Sequence, residues 1–293
     1  MRYTGQVYRP PREAFTPLLE VTSGCSHNKC AFCSMFNQTP FGISPLEHVE
    51  EDILELKETW FYPIRRVYLV NGDPFVLPAD RLMGIGNLIH KHLKEVDTIT
   101  CYASFYNLKN KSVEELKELR KMGFNELYIG VETGYGPALD MIDKGITIEE
   151  AYEGLDKLRQ AGMDYNAIIM MGIAGRGKSK ENAQATAKLL NYYPPKVVNI
   201  MSTTIDSGTK LEEYRAQGKF VEATERELLE EQIYLLDDFN LPDDVLYTSQ
   251  HMVNLVHIQA TMAQKEQIKA RIQETIDNTA PEILDATIRR RAT

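Results

Sequence analysis

Six short apolar runs, at 17–22, 66–70, 98–102, 126–131, 166–171 and 197–201, are each separated from the next by a segment of helical pattern. That alternation constrains the fold more than any other feature of the chain. Most of the runs are largely apolar, as in Ile168-Ile169-Met170-Met171, without a sustained alternation of apolar and polar residues, so both faces of the strands are to be buried. Strands of that kind pair in parallel, and a parallel pair needs a crossover long enough to hold a helix. Start signals for such helices recur between the runs. Ser44-Pro45-Leu46-Glu47 carries an N-cap, a first-turn proline and a capping-box glutamate ahead of Leu46, Val49, Ile53 and Leu56 at helical spacing. Ser112-x-x-Glu115 and Thr147-x-x-Glu150 open two more helices, and others are predicted over about 78–92 and 180–192. Repeated right-handed crossovers curl such a sheet, so the fold class is α/β, with a partial (β/α)6 TIM-like barrel over residues 1–205.

Residues 206–293 read differently. Thr224-x-x-Glu227 opens an amphipathic helix containing Leu228, Leu229, Ile233, Leu235 and Leu236, followed by a short strand at 245–247 and a helix over about 263–276. This segment is expected as a C-terminal α/β extension packed on the barrel, since no internal repeat, heptad pattern or low-complexity linker sets it apart.

Hydrophobic residues make up 43% of the chain and charged residues 26%, the balance of a globular protein. A formal charge of −9 disfavours broad binding to nucleic acid or to an anionic membrane. The basic run Arg289-Arg290-Arg291 reads as solvated charge on a tail. No stretch approaches the ~20 continuous apolar residues of a membrane span, and the start Met1-Arg2-Tyr3 lacks a signal-peptide core, so the expected location is the cytoplasm.

In parallel α/β folds, ligands collect at the carboxyl ends of the strands. The unusual segments of this chain all fall there: a cysteine loop after the first run, Asn71-Gly72-Asp73-Pro74 after the second, Ser104 after the third, Gly130-Val131-Glu132-Thr133-Gly134 at the fourth, Gly172-Ile173-Ala174-Gly175 after the fifth and Ser202-Thr203-Thr204 after the sixth. The loop Cys25-Ser26-His27-Asn28-Lys29-Cys30-Ala31-Phe32-Cys33 holds three of the four cysteines. Thiolates so closely spaced suit a metal or iron–sulfur centre, and three of them leave one coordination position for a further ligand. From the residues alone, zinc with His27 as a fourth ligand competes with an iron–sulfur cluster.

The order of these segments resembles the radical S-adenosylmethionine (radical SAM) enzymes over roughly residues 16–205: the three-cysteine loop with an aromatic before its last cysteine, a Gly-Asp-Pro turn, Gly-Val-Glu after the fourth strand and a glycine turn after the fifth. Within them, the stretch from Glu126 to Gly175 is most similar to the group containing oxygen-independent coproporphyrinogen oxidases and the radical subunit of the tRNA-modifying elongator complex. The common spacing is Cys-x3-Cys-x2-Cys, whereas this chain has Cys25-x4-Cys30-x2-Cys33.

The resemblance implies a 4Fe–4S cluster on Cys25, Cys30 and Cys33, with S-adenosylmethionine (SAM) on the remaining iron. It further implies that Phe32 contacts the adenine, that Gly72 and Asp73 receive the methionyl ammonium, that Ser104 lies at the cofactor, that Glu132 binds the ribose hydroxyls and that Gly172 to Gly175 bring backbone close to the adenine. The activity implied is reductive cleavage of SAM to a 5′-deoxyadenosyl radical that abstracts hydrogen from a small-molecule substrate, with electrons from a donor such as flavodoxin or ferredoxin. The implied alternative within the family is a tRNA-modifying enzyme. The alternative outside it is a non-catalytic, zinc-stabilised α/β binding protein.

No residue is singled out as a catalytic acid or base. Cys101 reads as a buried strand thiol, with a substrate-side or radical-relay role as the alternative; His90 and His92 read as surface residues of a helix, and His251 and His257 as structural residues near the C-terminal strand, with lining of the substrate space as the alternative. Tyr102, Tyr106, Tyr128, Tyr165 and Tyr247 read as core packing. With Cys101 alone left over, a second cysteine-ligated cluster is excluded.

Overall fold

A computed structural model describes residues 1–287, so Arg289 to Arg291 lie outside the described residues. In chain order the first elements are β1 Leu18–Leu19, β2 Thr22–Ser23, β3 Gly42–Ile43, α1 Leu46–Thr59, β4 Arg66–Leu69, α2 Ala79–His92 and β5 Thr98–Ala103. Next come α3 Phe105–Lys109, α4 Val113–Lys121, β6 Leu127–Glu132, α5 Gly136–Met141, α6 Ile148–Ala161, β7 Tyr165–Met171, α7 Ser179–Tyr192 and β8 Val197–Ser202. The last are α8 Lys210–Ala216, α9 Glu225–Asp238, β9 Leu246–Thr248, β10 Gln259–Thr261, α10 Lys265–Asn278 and α11 Pro281–Leu284. The fold is mixed α/β with mostly parallel strands, as the alternation requires.

The chain divides into two compact units that are interleaved in sequence. The first comprises 1–28, 35–130 and 153–165, and the second 29–34, 131–152 and 166–293. In the first, the strand order is β1-β4-β5-β6, all parallel, with Leu19 beside Leu69, Leu69 beside Cys101 and Tyr102 beside Tyr128. Tyr68, Tyr102 and Tyr128 meet edge to face at 5.8 to 6.2 Å between ring centres. Below them the buried carboxylate of Glu13 accepts hydrogen bonds from the Tyr128 hydroxyl at 2.7 Å and the Arg66 guanidinium at 2.8 Å. Burial alone would push the Glu13 carboxyl up, but the bonds from Arg66, Thr16 and Tyr128 hold it below the usual carboxylate range.

In the second unit, β7, β8 and β9 run parallel and β10 returns antiparallel to β9. The sheet therefore continues into residues 206–293, with Val198 of β8 beside Tyr247 of β9. Helix α9 lies between α7 and α10 and buries Leu228, Leu229, Leu235 and Leu236. The hydroxyl of buried Tyr247 donates to Gln232 of α9 at 2.7 Å.

The capping boxes at Ser112, Thr147 and Thr224 all form. The one at Ser44 does not: Pro45 takes the cap position without a side-chain bond, and the Ser44 amide instead donates to Val21 O. Helices α3, α5 and α8 and strand β10 are too short to carry a hydrophobic period, which is why the pattern did not announce them. His90 and His92 are half-buried, bonded to Met122 O and to the Glu50 carboxylate, and not simply on the surface. Tyr106 is exposed, unlike the other tyrosines expected in the core. No helix of the described residues is long and apolar enough to cross a membrane.

Candidate cofactor site

Within the first unit, the turn after β4 grips the Cys25 end of the cysteine loop. Buried Asn71 starts the turn in the left-handed region, φ 81°, with its amide donating to Thr22 O at 2.8 Å and to the Glu20 carboxylate at 3.1 Å. Gly72 N then donates to Gly24 O at 2.9 Å. A Cβ on Gly72 would lie 2.5 Å from Cys25 Cβ and 2.8 Å from Cys25 Cα, so glycine is required by the closeness of the cysteine itself.

Asp73, 5% exposed, is engaged by the same loop: Oδ1 accepts from Ser26 N at 2.9 Å and Oδ2 from the Ser26 hydroxyl. Asn107 Nδ2 adds a third bond at 3.4 Å, and Asn107 Oδ1 accepts the Ser104 amide at 2.7 Å as part of the capping box of α3. Burial raises the Asp73 carboxyl against these bonds and the nearby His27. Ser104, Asn107, Asp73 and Ser26 thus form one chain of bonds ending beside Cys25. Lys111, which no motif pointed to, is 3% exposed and donates to Phe75 O at 2.7 Å beyond the same turn, and burial lowers its ammonium to about 8.

Between Cys25 and Cys30 the chain turns at Asn28, φ 42°, whose side-chain amide donates to Phe36 O at 3.2 Å. Asparagine tolerates that left-handed geometry, and the turn lies inside the four-residue interval.

Within the second unit, the Cys30–Cys33 turn closes through Cys33 N donating to Cys30 O at 3.1 Å. Ala31 between them is fastened on both sides, its amide donating to Ile142 O at 2.7 Å and its carbonyl accepting from Leu211 N at 2.8 Å. The Ser34 hydroxyl donates to Asp206 at 2.7 Å. Phe32 lies half-buried on an apolar cluster of Ala31, Ala138, Ile142, Met170 and Ile173.

At the end of β6, Glu132 sits at φ 58°, a left-handed position that costs a non-glycine residue of order 1 kcal/mol or more. Its buried carboxylate accepts from Lys144 Nζ at 2.6 Å, an ion pair in which both side chains are at most 10% exposed. Lys144 also reaches Cys30 electrostatically: burial raises the Cys30 thiol, and the lysine opposes that rise. Sequence reasoning missed Lys144, which lies 12 residues from its partner and in no motif.

The turn after β7 has Gly172 at φ 77° and Gly175 at φ 84°, both in the region that favours glycine. A Cβ on Gly172 would fall 2.5 Å from Leu228 Cδ2, and one on Gly175 would fall 3.2 Å from Val221 O. The space beside both glycines is therefore filled by the protein's own α9 and the segment preceding it, and what the turn offers a ligand is backbone.

Cys101 is fully buried on β5 and its thiol is pushed up by that burial, as expected of a packed strand cysteine. His251 is half-buried, which lowers its pKa, and His257 is exposed.

Among the described residues, no three His, Cys, Asp or Glu side chains are gathered about one point as a single ion needs. A zinc ion requires its ligands within about 2.0–2.3 Å of one centre. A 4Fe–4S cluster takes each cysteine on a different iron, and the donor set here, three half-buried thiols of Cys25, Cys30 and Cys33, is of the kind such a cluster takes.

The Radical SAM superfamily profile matches residues 19–190, more than half of the chain. The heme chaperone HemW of Bacillus subtilis (strain 168) is 23% identical over 156 residues, covering 52% of this chain and 41% of the chaperone. The solved structure of methylornithine synthase (PylB) superposes with a TM-score of 0.54 at 16% identity, covering 88% of this chain and 68% of that one. The archaeal Elp3 of Methanocaldococcus infernus gives 0.54 at 16%, covering 90% and 64%. The chain spans about two fifths of the length of the curated relatives it matches.

Proposed function

The chain belongs to the radical SAM superfamily, and on that premise we propose that it cleaves SAM reductively and abstracts hydrogen from a small-molecule substrate. It is an enzyme of that superfamily, whose cofactors are a 4Fe–4S cluster and SAM, and this membership displaces the reading as a non-catalytic zinc protein. In the proposal Cys25, Cys30 and Cys33 hold the cluster. The observation that best supports this is the anchoring of both ends of the cysteine loop, at Gly72 and Asp73 in one unit and at Ile142 and Leu211 in the other. A cluster held by Cys25, Cys30 and Cys33 would supply the single electron for reductive cleavage of SAM, the chemistry from which hydrogen abstraction follows.

The chain's own residues orient and exclude. Asp73 and Gly72 fix the Cys25 end of the loop, with Ser104 acting through Asn107. Phe32, whose ring rests on the Ala31 cluster, would offer its backbone to the adenine. Glu132, held by Lys144, would bind the ribose hydroxyls, and the backbone of Gly172 to Gly175 would lie along the adenine. Residues 1–205 form the cofactor core and 206–293 shape the substrate side. The electron donor is a small redox protein of the flavodoxin or ferredoxin kind.

The test is anaerobic purification and reconstitution. The protein should be brown, bleach in air, and convert SAM to methionine and 5′-deoxyadenosine on reduction, and Cys30→Ala should lose both colour and turnover. Full iron in Cys30→Ala, or a reconstituted protein inert toward SAM, would sink the reading. Binding to tRNA that weakens steeply with salt would move the substrate class from small molecules to tRNA.

A further inference from the structure

Helix α9 buries two carboxylates among its leucines, Glu225 at its first residue and Glu231 midway along. Glu231 is 1% exposed. Its Oε2 accepts the Gly172 amide at 3.0 Å, and its Oε1 accepts Asn182 Nδ2 of α7 at 2.6 Å. Asn182 Oδ1 accepts the Thr133 hydroxyl, and Thr133 Oγ1 accepts the Tyr135 amide at 2.8 Å. Thr186, one helical turn beyond Asn182, accepts the Gly134 amide at 2.9 Å. One carboxylate from the C-terminal segment is thus the hub of hydrogen bonds to two strand-end turns, Thr133-Gly134-Tyr135 after β6 and the glycine turn after β7.

A carboxyl group costs several kcal/mol to bury, and an apolar residue of similar size would pack α9 at no such cost. What the carboxylate adds is two acceptor oxygens at a fixed spacing, one for each branch of the network. Each oxygen holds a donor that is itself buried, so deleting the side chain leaves the Gly172 N–H and the Asn182 amide unpartnered.

We propose that Glu231 is a positioning residue for SAM, holding the glycine turn after β7 and the turn that follows Glu132 in one geometry, so that the C-terminal segment sets the cofactor affinity of the core. The inference rests on the assignment of Glu132 and of Gly172 to Gly175 to SAM.

The experiment uses the full reconstituted chain and reads SAM dissociation constants by equilibrium dialysis, alongside thermal stability and the KM and kcat of SAM cleavage. Glu231→Ala should weaken SAM binding by about tenfold or more. Leu229→Ala, which truncates a buried leucine on the same helix and lowers stability at least as much, should leave SAM affinity unchanged. Glu231→Gln should restore most of the affinity, because its amide satisfies both branches once Asn182 turns over. Wild-type SAM affinity in Glu231→Ala, or equal loss in Leu229→Ala, overturns the proposal. Should Glu231→Ala not fold, Asn182→Ala cuts the same network at its next link, and unchanged affinity there overturns it equally. Glu132→Ala separates the premise from the inference: if it binds SAM like the wild type, the site assignment fails and the inference with it. If it weakens binding while Glu231→Ala does not, only the inference fails.

Discussion

Gly72 and Cys25 approach so closely that a methyl group on the glycine would stand 2.5 Å from the cysteine Cβ. The turn after the second parallel strand is therefore a seat for the first cysteine. Gly72→Ala forces backbone to move, because Cys25 Cα and Gly24 O also lie 2.8 Å from the added carbon. The expected result is a folded protein destabilised by about 1–3 kcal/mol that retains far less iron than the wild type after reconstitution. Iron and sulfide assays check this, and full occupancy would show that the seat does not govern the cluster.

Asp73 separates two assignments. Family resemblance gives its carboxylate to the methionyl ammonium, whereas the structure has it accepting two bonds from Ser26. If loop anchoring dominates, Asp73→Ala loses iron as well as SAM binding, and Asp73→Asn, which keeps an acceptor for the Ser26 amide, recovers iron. An Asp73→Ala protein with full iron and weak SAM binding would support the ammonium role instead.

Lys144→Met leaves the Glu132 carboxylate buried without its cation. Breaking one side of such a pair costs about 3–5 kcal/mol, read as a lower urea midpoint, with weaker SAM binding because the carboxylate is no longer held. Lys144→Arg should recover part of both. A Lys144→Met protein as stable as the wild type would show the pair to be incidental.

The pH dependence of stability has a sign set by Glu231. Burial pushes its carboxyl up to about 8, against bonds from Asn182 and the Gly172 amide and with help from the Glu227 charge on the same helix. A raised carboxyl pKa means the folded state binds more protons than the unfolded one above the ordinary carboxylate range. The stability it contributes is whole at low pH and is lost as pH rises toward 8, at no more than about 1.4 kcal/mol per pH unit. The stability of wild type minus that of Glu231→Gln should therefore fall between about pH 5 and 8 and level off above. The subtraction removes other groups titrating there, such as Lys111. Urea titrations at several pH values check it, and a flat difference would contradict the assignment.

The residues that announced themselves did so through local pattern. Cys25, Cys30 and Cys33 are close in sequence, and Ser112, Thr147 and Thr224 carry their capping partners three residues away, so both signals survive without knowledge of the fold. Glu231 and Lys144 gave no such signal. A glutamate in an amphipathic helix reads as a solvent-facing residue, and only the packing of α9 against α7 turns it inward onto Asn182. The Ser44 cap failed for the converse reason: its amide lies in reach of Val21 O, a partner no local pattern contains.

The sequence by itself determined the parallel α/β class, the three-thiol loop and the order of the turns that follow it, because hydrophobic period, helix capping and cysteine spacing act over a few residues. The tertiary structure alone decided which groups hold those turns in place: Gly72 against Cys25, Asp73 on Ser26, Lys144 on Glu132 and Glu231 on Gly172. Those pairs join residues from 12 to 59 apart in the chain, and the burial that makes each bond strong exists only once the strands and helices have closed around it.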